Sequence, residues 1–349
     1  MLSRSAQGLY WMGRNIERAE HLCHLLRWQV EALVDRPLAE IHFGWNRIYK
    51  ALRRQPPWGD LAANESDTDI SYGILWGYLP LYWNDLTAGE SDDYTLADSY
   101  TLAGDLTFER DNPNAMRNCF ALGRENARQV RHCISAEMWT CLNLAWLRIR
   151  DLDIEDIWKV SPESFYAETA REINTFIGVA NATMYRDEGW HFMRLGRFIE
   201  RAQLLVSLLL AQFAAGREQG ETEDTNWTSL LRSCQALDAY KRSYGIKVQP
   251  SRVLDLLVTN PLLPNSLCCA LDAIAAELTS IGESPDAHTG AATKRLAGRL
   301  GTLIRYEWPD REDREALLVQ GDEQCRKLHS LVTTAYIDYA IEDSQVQTL

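Results

Sequence analysis

Two stretches of this chain, GRNIERAEHLCHLL at residues 13–26 and GRFIERAQLLVSLL at 196–209, agree at nine of fourteen positions when the sequence is laid on itself at an offset of 183. No other feature constrains the fold as strongly. A motif repeated at that length implies a repeated helical unit, and such a unit leaves an apolar face that only a second unit covers. Further echoes keep the same order: WNRIYKAL from Trp45 roughly matches WTSLLRSC from Trp227, and NPNAM (112–116) echoes LPNSL (263–267). The reading is an all-α protein, a large helical bundle built from two duplicated helical halves packed about a pseudo-twofold axis. The first half is placed at residues 1–160 and the second at 161–349, together forming one compact unit, with the second ER helix starting near Gly189.

Local patterning agrees. Leu9, Met12, Ile16, Ala19, Cys23, Leu26, Val30 and Leu33 recur at spacings of three and four, which lays one apolar stripe along a helix. Asn112-Pro113, Ser161-Pro162 and Leu263-Pro264 read as helix starts, because proline at the first helical position lacks only an N–H that has no partner there. No alternating apolar and polar run suggests a sheet. Residues 54–100, with RQPPWGD, the acidic ESDTD and the aromatics Tyr72, Trp76, Tyr78, Tyr82 and Trp83, have no counterpart in the second half and read as an insertion that packs on the bundle or faces a partner.

With 349 residues, 46% hydrophobic and 24% charged, the chain can bury a sizeable core. A net charge of −13 argues against binding a phosphate backbone, so no nucleic-acid partner is expected. The eight cysteines show no CxxC spacing and no signal peptide is evident, which fits reduced thiols in the cytoplasm. The most apolar run, residues 204–215, is shorter than the roughly 20 residues a bilayer needs, so no membrane association is expected either.

The ER pair raises the sharper question. On a helical wheel Ile16 and Ala19 lie in the stripe while Glu17 points away, flanked by Arg14 and Arg18. That far side also carries Tyr10, Trp11, Leu25 and Trp28, and in the second copy Met193, Leu204 and Leu208. A helix apolar around most of its circumference is buried by several neighbours, which would put Glu17 and Glu200 inside. Buried charges persist when paired, since stranding one costs about 3–5 kcal/mol. Arg14, Glu17, Arg18, Arg197, Glu200 and Arg201 therefore read as a polar network between helices. The i, i+3 spacing also places Arg14 near Glu17 and Arg197 near Glu200 within one helix.

Three long stretches, GLYWMGRNIERAEHL, RENARQVRHCISAEMWTCLN and ATMYRDEGWHFMRLGRFIERA, strongly resemble the bacterial alpha-E family of helical proteins, named for its ER motif. The resemblance runs from the N-terminus to at least Leu271. It implies a helical fold and a genomic setting beside, or fused to, a circularly permuted ATP-grasp protein, often with a transglutaminase-like protein and sometimes with a proteasome-related peptidase. Such neighbours imply an ATP-driven system that forms peptide or amide bonds on a peptide or amine substrate. The family supplies no catalytic residues to carry over, and the aromatic and acidic segment at 54–100 is where this chain departs from it.

Candidate chemistry is confined to a few places. Arg124, Arg128 and Arg131 of RENARQVR fall on one helical face at i, i+4, i+7, where guanidinium forks could hold an anionic peptide end or an acyl phosphate, or tie to Glu137 and the ER carboxylates. Tyr185, Arg186, Asp187 and Glu188 mix acid, base and phenol at a turn between two helices; alternatively Asp187 simply caps the second. Glu17, Glu20, His21 and His24 spell ExxEHxxH, but the second copy has Gln203, Leu204 and Ser207 at the matching places, so no symmetric metal centre is expected. Cys268-Cys269 has no histidine nearby in sequence and reads as helix packing. There is no GxxxxGK[ST] loop, so no cofactor is assigned to this chain, and ATP with Mg is expected in the partner.

Overall fold

Helix α1 (Ser3–Glu31) and helix α8 (Glu188–Gln219) carry the two copies of the repeated motif and form the centre of the molecule. The structure is a computed structural model that describes residues 3–57, 90–219, 224–282 and 287–337, and among these the chain forms fourteen α-helices and no strand. The stripe on α1 is buried as its spacing requires, from Leu9 through Val30, but so are Tyr10, Leu22 and Leu25 on its other flank. Each such side chain contributes roughly 1.5–3 kcal/mol on leaving water, so a helix apolar nearly all round is stable only when wrapped.

The wrapping follows one plan on both long helices. Helix α1 packs against α4 (Met116–Gln129) and α7 (Pro162–Thr183), with α5 (Ala136–Ile149) bridging those two. Helix α8 packs against α12 (Leu267–Ser280) and α14 (Arg314–Val332), with α13 (Ala287–Glu307) bridging them. The helices that follow the long ones cross over: α2 (Leu38–Leu52) lies on α8, and α9 (Asp224–Ser233) touches both α1 and α2. Trp45 of α2 and Trp227 of α9, matched in sequence, are both buried. Helix α3 (Glu90–Thr107) and the shorter α6 (Ile154–Trp158), α10 (Leu237–Tyr244) and α11 (Pro250–Thr259) complete the described helices. Helix α7, which a division at residue 160 assigns to the second half, packs on α1 and α5. The aromatics Tyr72, Trp76, Tyr78, Tyr82 and Trp83 lie outside the described residues.

Proline marks the helix starts less uniformly than its spacing suggests. Ser161 caps α7 with Pro162 in its first turn, as expected. At Pro113 and Pro264 the helices begin three residues later, at Met116 and Leu267. The reason is local side-chain bonding: the Asn114 N–H donates to Asn112 Oδ1 at 3.1 Å, closing a turn around Pro113, and Ser266 Oγ caps α12 by accepting from the Cys269 N–H at 3.1 Å. Helix α8 also corrects an expectation. Its residues Glu188–Glu218 are long and apolar enough by length and composition to cross a bilayer, because the helix extends well beyond the uninterrupted run at 204–215. Its contacts with α1, α2, α12 and α14 make it the core helix of this bundle.

What brings α1 and α8 together is glycine. A Cβ on Gly13 would stand 2.1 Å from the Met193 carbonyl oxygen, and a Cβ on Gly196 would stand 2.1 Å from the Tyr10 carbonyl oxygen. These two contacts are the same contact with the helices exchanged, since Tyr10 matches Met193 and Gly13 matches Gly196 at the offset of 183. Alanine at either glycine improves helix propensity by about 1 kcal/mol but drives a methyl into a backbone carbonyl that cannot rotate aside, and overpacking of that kind costs about 1–3 kcal/mol. We expect the steric cost to win: Gly13→Ala and Gly196→Ala each lower the urea unfolding midpoint, and a rise in midpoint for both would contradict the close helix contact.

Candidate functional site

One turn along from the glycines the two helices exchange charges. Arg14 Nε donates to Glu200 Oε2 at 2.5 Å and Arg18 Nε to Glu200 Oε1 at 2.6 Å. Reciprocally, Arg197 Nε donates to Glu17 Oε2 at 3.0 Å and Arg201 Nε to Glu17 Oε1 at 2.5 Å. The i, i+3 pairs within one helix are thus not the partnership found: each glutamate is held by two arginines of the other helix. The contacts climb both helices together, from Tyr10 and Gly13 against Met193 and Gly196 to Arg18 and Glu17 against Glu200 and Arg201. Both carboxylates are buried, Glu17 at 6% exposure and Glu200 at 1%. Burial alone would favour their protonated forms, but the Arg201 and Arg197 charges outweigh it at Glu17, and those of Arg14 and Arg18 do so at Glu200, so both sit below the ordinary carboxylate range.

The second arginine of each motif also reaches a Pro-Asn turn. Arg18 Nη1 donates to Asn114 Oδ1 at 2.5 Å, and Arg201 Nη1 to the Pro264 carbonyl at 3.2 Å. Arg14 Nη2 donates to Gln203 Oε1 at 2.7 Å, and its guanidinium lies 5.3 Å from the Trp11 ring centroid. Glu137 takes no part: it is exposed in the first turn of α5, and the four arginines close on Glu17 and Glu200 instead.

Where the two copies differ, the surroundings differ. Beside Glu17 a pocket of about 50 Å³ is lined by Glu20, His21, His24, Arg201, Gln235 and Asn265 among others. That is room for a few waters. His24 Nε2 accepts the Gln235 amide N–H at 2.7 Å, while Glu20 Oε2 is buried with no bonding partner among the described residues. Burial, reinforced by His24, pulls the His21 imidazole down to about 4, so it is neutral at physiological pH. Among the described residues no group of three His, Cys, Asp or Glu side chains converges as a metal site would require. On the other side of the clamp His329 Nδ1 stands 2.7 Å from the Tyr10 hydroxyl, and burial, with the Arg14 charge, holds this imidazole at about 4 as well.

The remaining sequence candidates are scattered. Arg124 donates twice to Asn143 Oδ1, at 3.0 and 2.7 Å. Arg128 forms an exposed bidentate pair with Glu125 at 2.8 and 2.6 Å, which holds the Glu125 carboxyl at about 2. Helix α4 ends at Gln129, so Arg131 lies in a 3₁₀ turn (Arg131–Cys133) rather than on the same helical face. Arg124 and Arg131 nevertheless meet at one ring, their guanidinium carbons 5.1 and 4.8 Å from the centroid of Trp139. At the turn before α8, Tyr185 is exposed, Arg186 lies 3.6 Å from the centroid of Trp190, and Asp187 Oδ1 accepts the N–H groups of Gly189 and Trp190 as a helix cap, next to Glu188 in the first turn. Glu17 lines the small pocket, but Glu200, Arg124 and Asp187 are not among the residues lining it.

Sequence reasoning missed Glu277. This α12 carboxylate is 5% exposed and accepts from Arg194 Nε at 2.5 Å, with His191 Nδ1 at 2.6 Å from its other oxygen. The signal was present: in LCCALDAIAAEL, Asp272 falls off the apolar stripe but Glu277 falls on it, three residues after Ile274, where an acid needs a buried partner.

The Alpha-E family, described as a predicted alpha-helical domain with a conserved ER motif, matches residues 1–337. Among curated proteins, an uncharacterized protein of Mycobacterium bovis is 26% identical over 327 residues, covering 88% of this chain and 33% of its own length. An uncharacterized protein of Mycobacterium tuberculosis is 25% identical with the same coverage. The chain therefore spans about a third of the length of these relatives. No solved structure matches it.

Two predictions follow from the clamp. Removing Glu200 strands the buried Arg14 guanidinium and the partly buried one of Arg18, so Glu200→Gln should cost about 3–5 kcal/mol and lower the melting temperature by several degrees. In an Arg14→Met background the same change should cost less, as coupled partners do; strictly additive losses in chemical denaturation would contradict the geometry. The pH dependence has a definite sign. His21 and His329 have folded values near 4 against an ordinary 6.5, so the unfolded chain takes up protons first as pH falls below 6.5. The lowered carboxyls of Glu17 and Glu200 add stability that is present above their unfolded value and lost as pH falls through the folded one. Stability should be greatest above pH 6.5 and decline steadily toward 4; a melting temperature flat across that window would count against neutral buried imidazoles.

Proposed function

The chain belongs to the Alpha-E family, and from that premise we propose that it is a helical accessory subunit of an ATP-grasp-dependent system that ligates peptides or amides. It binds an anionic group of the peptide or amine substrate, or completes the partner's active site, in the cytoplasm. One observation carries the reading: both ER carboxylates are buried and each is engaged by two arginines, so the motif that defines the family offers no free acid or base for catalysis. The motif fixes a scaffold, and the chemistry is left to another protein. The circularly permuted ATP-grasp protein would contribute ATP and Mg, and a transglutaminase-like protein is a further partner. That the matched region is a third of its longer relatives supports a module that works beside others.

On this reading the chain is two duplicated halves about a pseudo-twofold axis, which the reciprocal glycine and arginine contacts support. The anion-binding face is reduced to Arg131 and the Trp139 ring beside it, since Arg124 is tied to Asn143 and Arg128 to Glu125. A free-standing enzyme acting on a peptide or amide is the second reading, and the buried unbonded Glu20 Oε2 beside His21 and His24 is the observation in its favour.

Co-expression with an ATP-grasp protein encoded beside it should yield a stable complex whose ATP turnover and product formation depend on both chains. Arg131→Ala should leave the melting temperature unchanged while weakening turnover, and Lys should rescue poorly because it lacks the planar fork. Turnover indifferent to omission of this chain would sink the accessory role, and ligation or hydrolysis by this chain alone would favour the enzyme.

A further inference from the structure

A second cleft, of about 150 Å³, opens where the end of α1, helix α2 and helix α9 meet. Arg47 of α2 lines it at 2% exposure. Its Nη1 donates to Gln212 Oε1 at 2.9 Å and to the Asn226 carbonyl at 3.1 Å, and its Nη2 to Ser229 Oγ at 2.8 Å. All three acceptors are neutral, and its Nε has none among the described residues. Among the described residues no carboxylate lies within ion-pair distance of it, in contrast to the four arginines of the clamp. Burial without a counter-charge accordingly lowers this guanidinium to about 10. Three neutral acceptors and the Phe43 ring, 5.8 Å from its guanidinium carbon, ease the burial of this cation but supply no counter-charge, which leaves the site suited to an anion.

The rim of the same cleft supplies the opposite charge. Glu31, Asp35 and Glu40 line it, and their arginine neighbours are loosely held: Arg232 is 3.6 Å from Glu31, and Arg36 is 3.4 Å from Asp35 and 4.0 Å from Glu40. Three guanidinium groups thus line the cleft with three carboxylates, the one unneutralised cation deep, Glu31 and Asp35 toward solvent and Glu40 mostly covered. That polarity matches a zwitterion, and the volume, on the order of ten waters, suits a molecule of that size while falling short of a drug-sized ligand.

We infer that this cleft is a binding site for a free α-amino acid, its carboxylate directed to Arg47 and its ammonium to Glu31, Asp35 and Glu40. The inference does not depend on a ligase partner.

The test uses the full chain and titration calorimetry with a panel of free amino acids, acetate, methylamine and inorganic phosphate. At least one amino acid should bind with no less than tenfold preference over acetate and phosphate and raise the melting temperature, as a ligand of the folded state does. Arg47→Met should abolish that binding; it removes a buried charge but also the three hydrogen bonds to Gln212, Asn226 and Ser229, so its melting temperature is measured beside the binding. The exposed-rim variants Glu31→Gln and Asp35→Asn should weaken amino-acid binding while leaving any acetate binding unchanged, and they decide the matter if Arg47→Met fails to fold. Binding of no amino acid, equal binding of acetate or phosphate, or rim variants that bind like the wild type would overturn the proposal.

Discussion

Everything in this fold hangs on the crossing of α1 and α8. Gly13 and Gly196 let each helix press its backbone against a carbonyl of the other, and only at that distance do the arginines one residue later reach the glutamates across the interface. The sequence GRxIERA therefore reads as a geometric recipe: glycine for approach, arginine to reach across, isoleucine and alanine to seal, glutamate to receive, and a second arginine to complete the fork. Because each glutamate needs two arginines from the other helix, a slip of one turn would strand all six charges. The network costs desolvation, and its return is a unique register between two otherwise greasy helices.

The cluster is also unbalanced, four guanidinium groups to two carboxylates. The surplus positive charge is met by neutral acceptors, Asn114 Oδ1, the Pro264 carbonyl and Gln203 Oε1, and by the faces of aromatic rings such as Trp11 and Phe198. Burial is the larger cause of the depressed imidazoles on either side; the Arg14 charge adds to it at His329, whereas at His21 the Glu17 and Glu200 charges oppose it and Arg201 assists only weakly. The clamp thus sets the helix register and only adjusts the protonation of its neighbourhood.

The sequence revealed the helices, the repeat and a polar network between helices because those follow from periodicity and from the improbability of unpaired buried charge. The pairing partners were harder. Spacing along one helix reports only distances within that helix, so Arg14 with Glu17 looked plausible, although the glycine preceding each arginine was already a sign of close approach by another backbone. Arg131 was misplaced for a similar reason: i, i+7 periodicity assumes an unbroken helix, and α4 stops at Gln129 before a 3₁₀ turn. Arg47 was invisible altogether, since nothing in WNRIYKAL distinguishes an arginine that snorkels to water from one enclosed by Gln212, Asn226 and Ser229.

The places where matched positions diverge are the ones that hold anything chemically unusual. At the centre, where GRxIERA is kept, each glycine contact and each arginine–glutamate contact has a mate, and each glutamate is held by two arginines. One turn on, Glu20, His21 and His24 face Gln203, Leu204 and Ser207 at the matching positions, and the polar pocket occurs on the histidine side. In the alignment of WNRIYKAL with WTSLLRSC, Arg47 falls opposite Ser229, and the two touch, with the unneutralised guanidinium and the second cleft on that side. The residues that match between α1 and α8 hold the crossing by themselves. That leaves the asymmetric ones free to differ without weakening the crossing of α1 and α8, and it makes Arg47 and the Glu20–His24 face, rather than the ER motif, the places to look for what the protein binds.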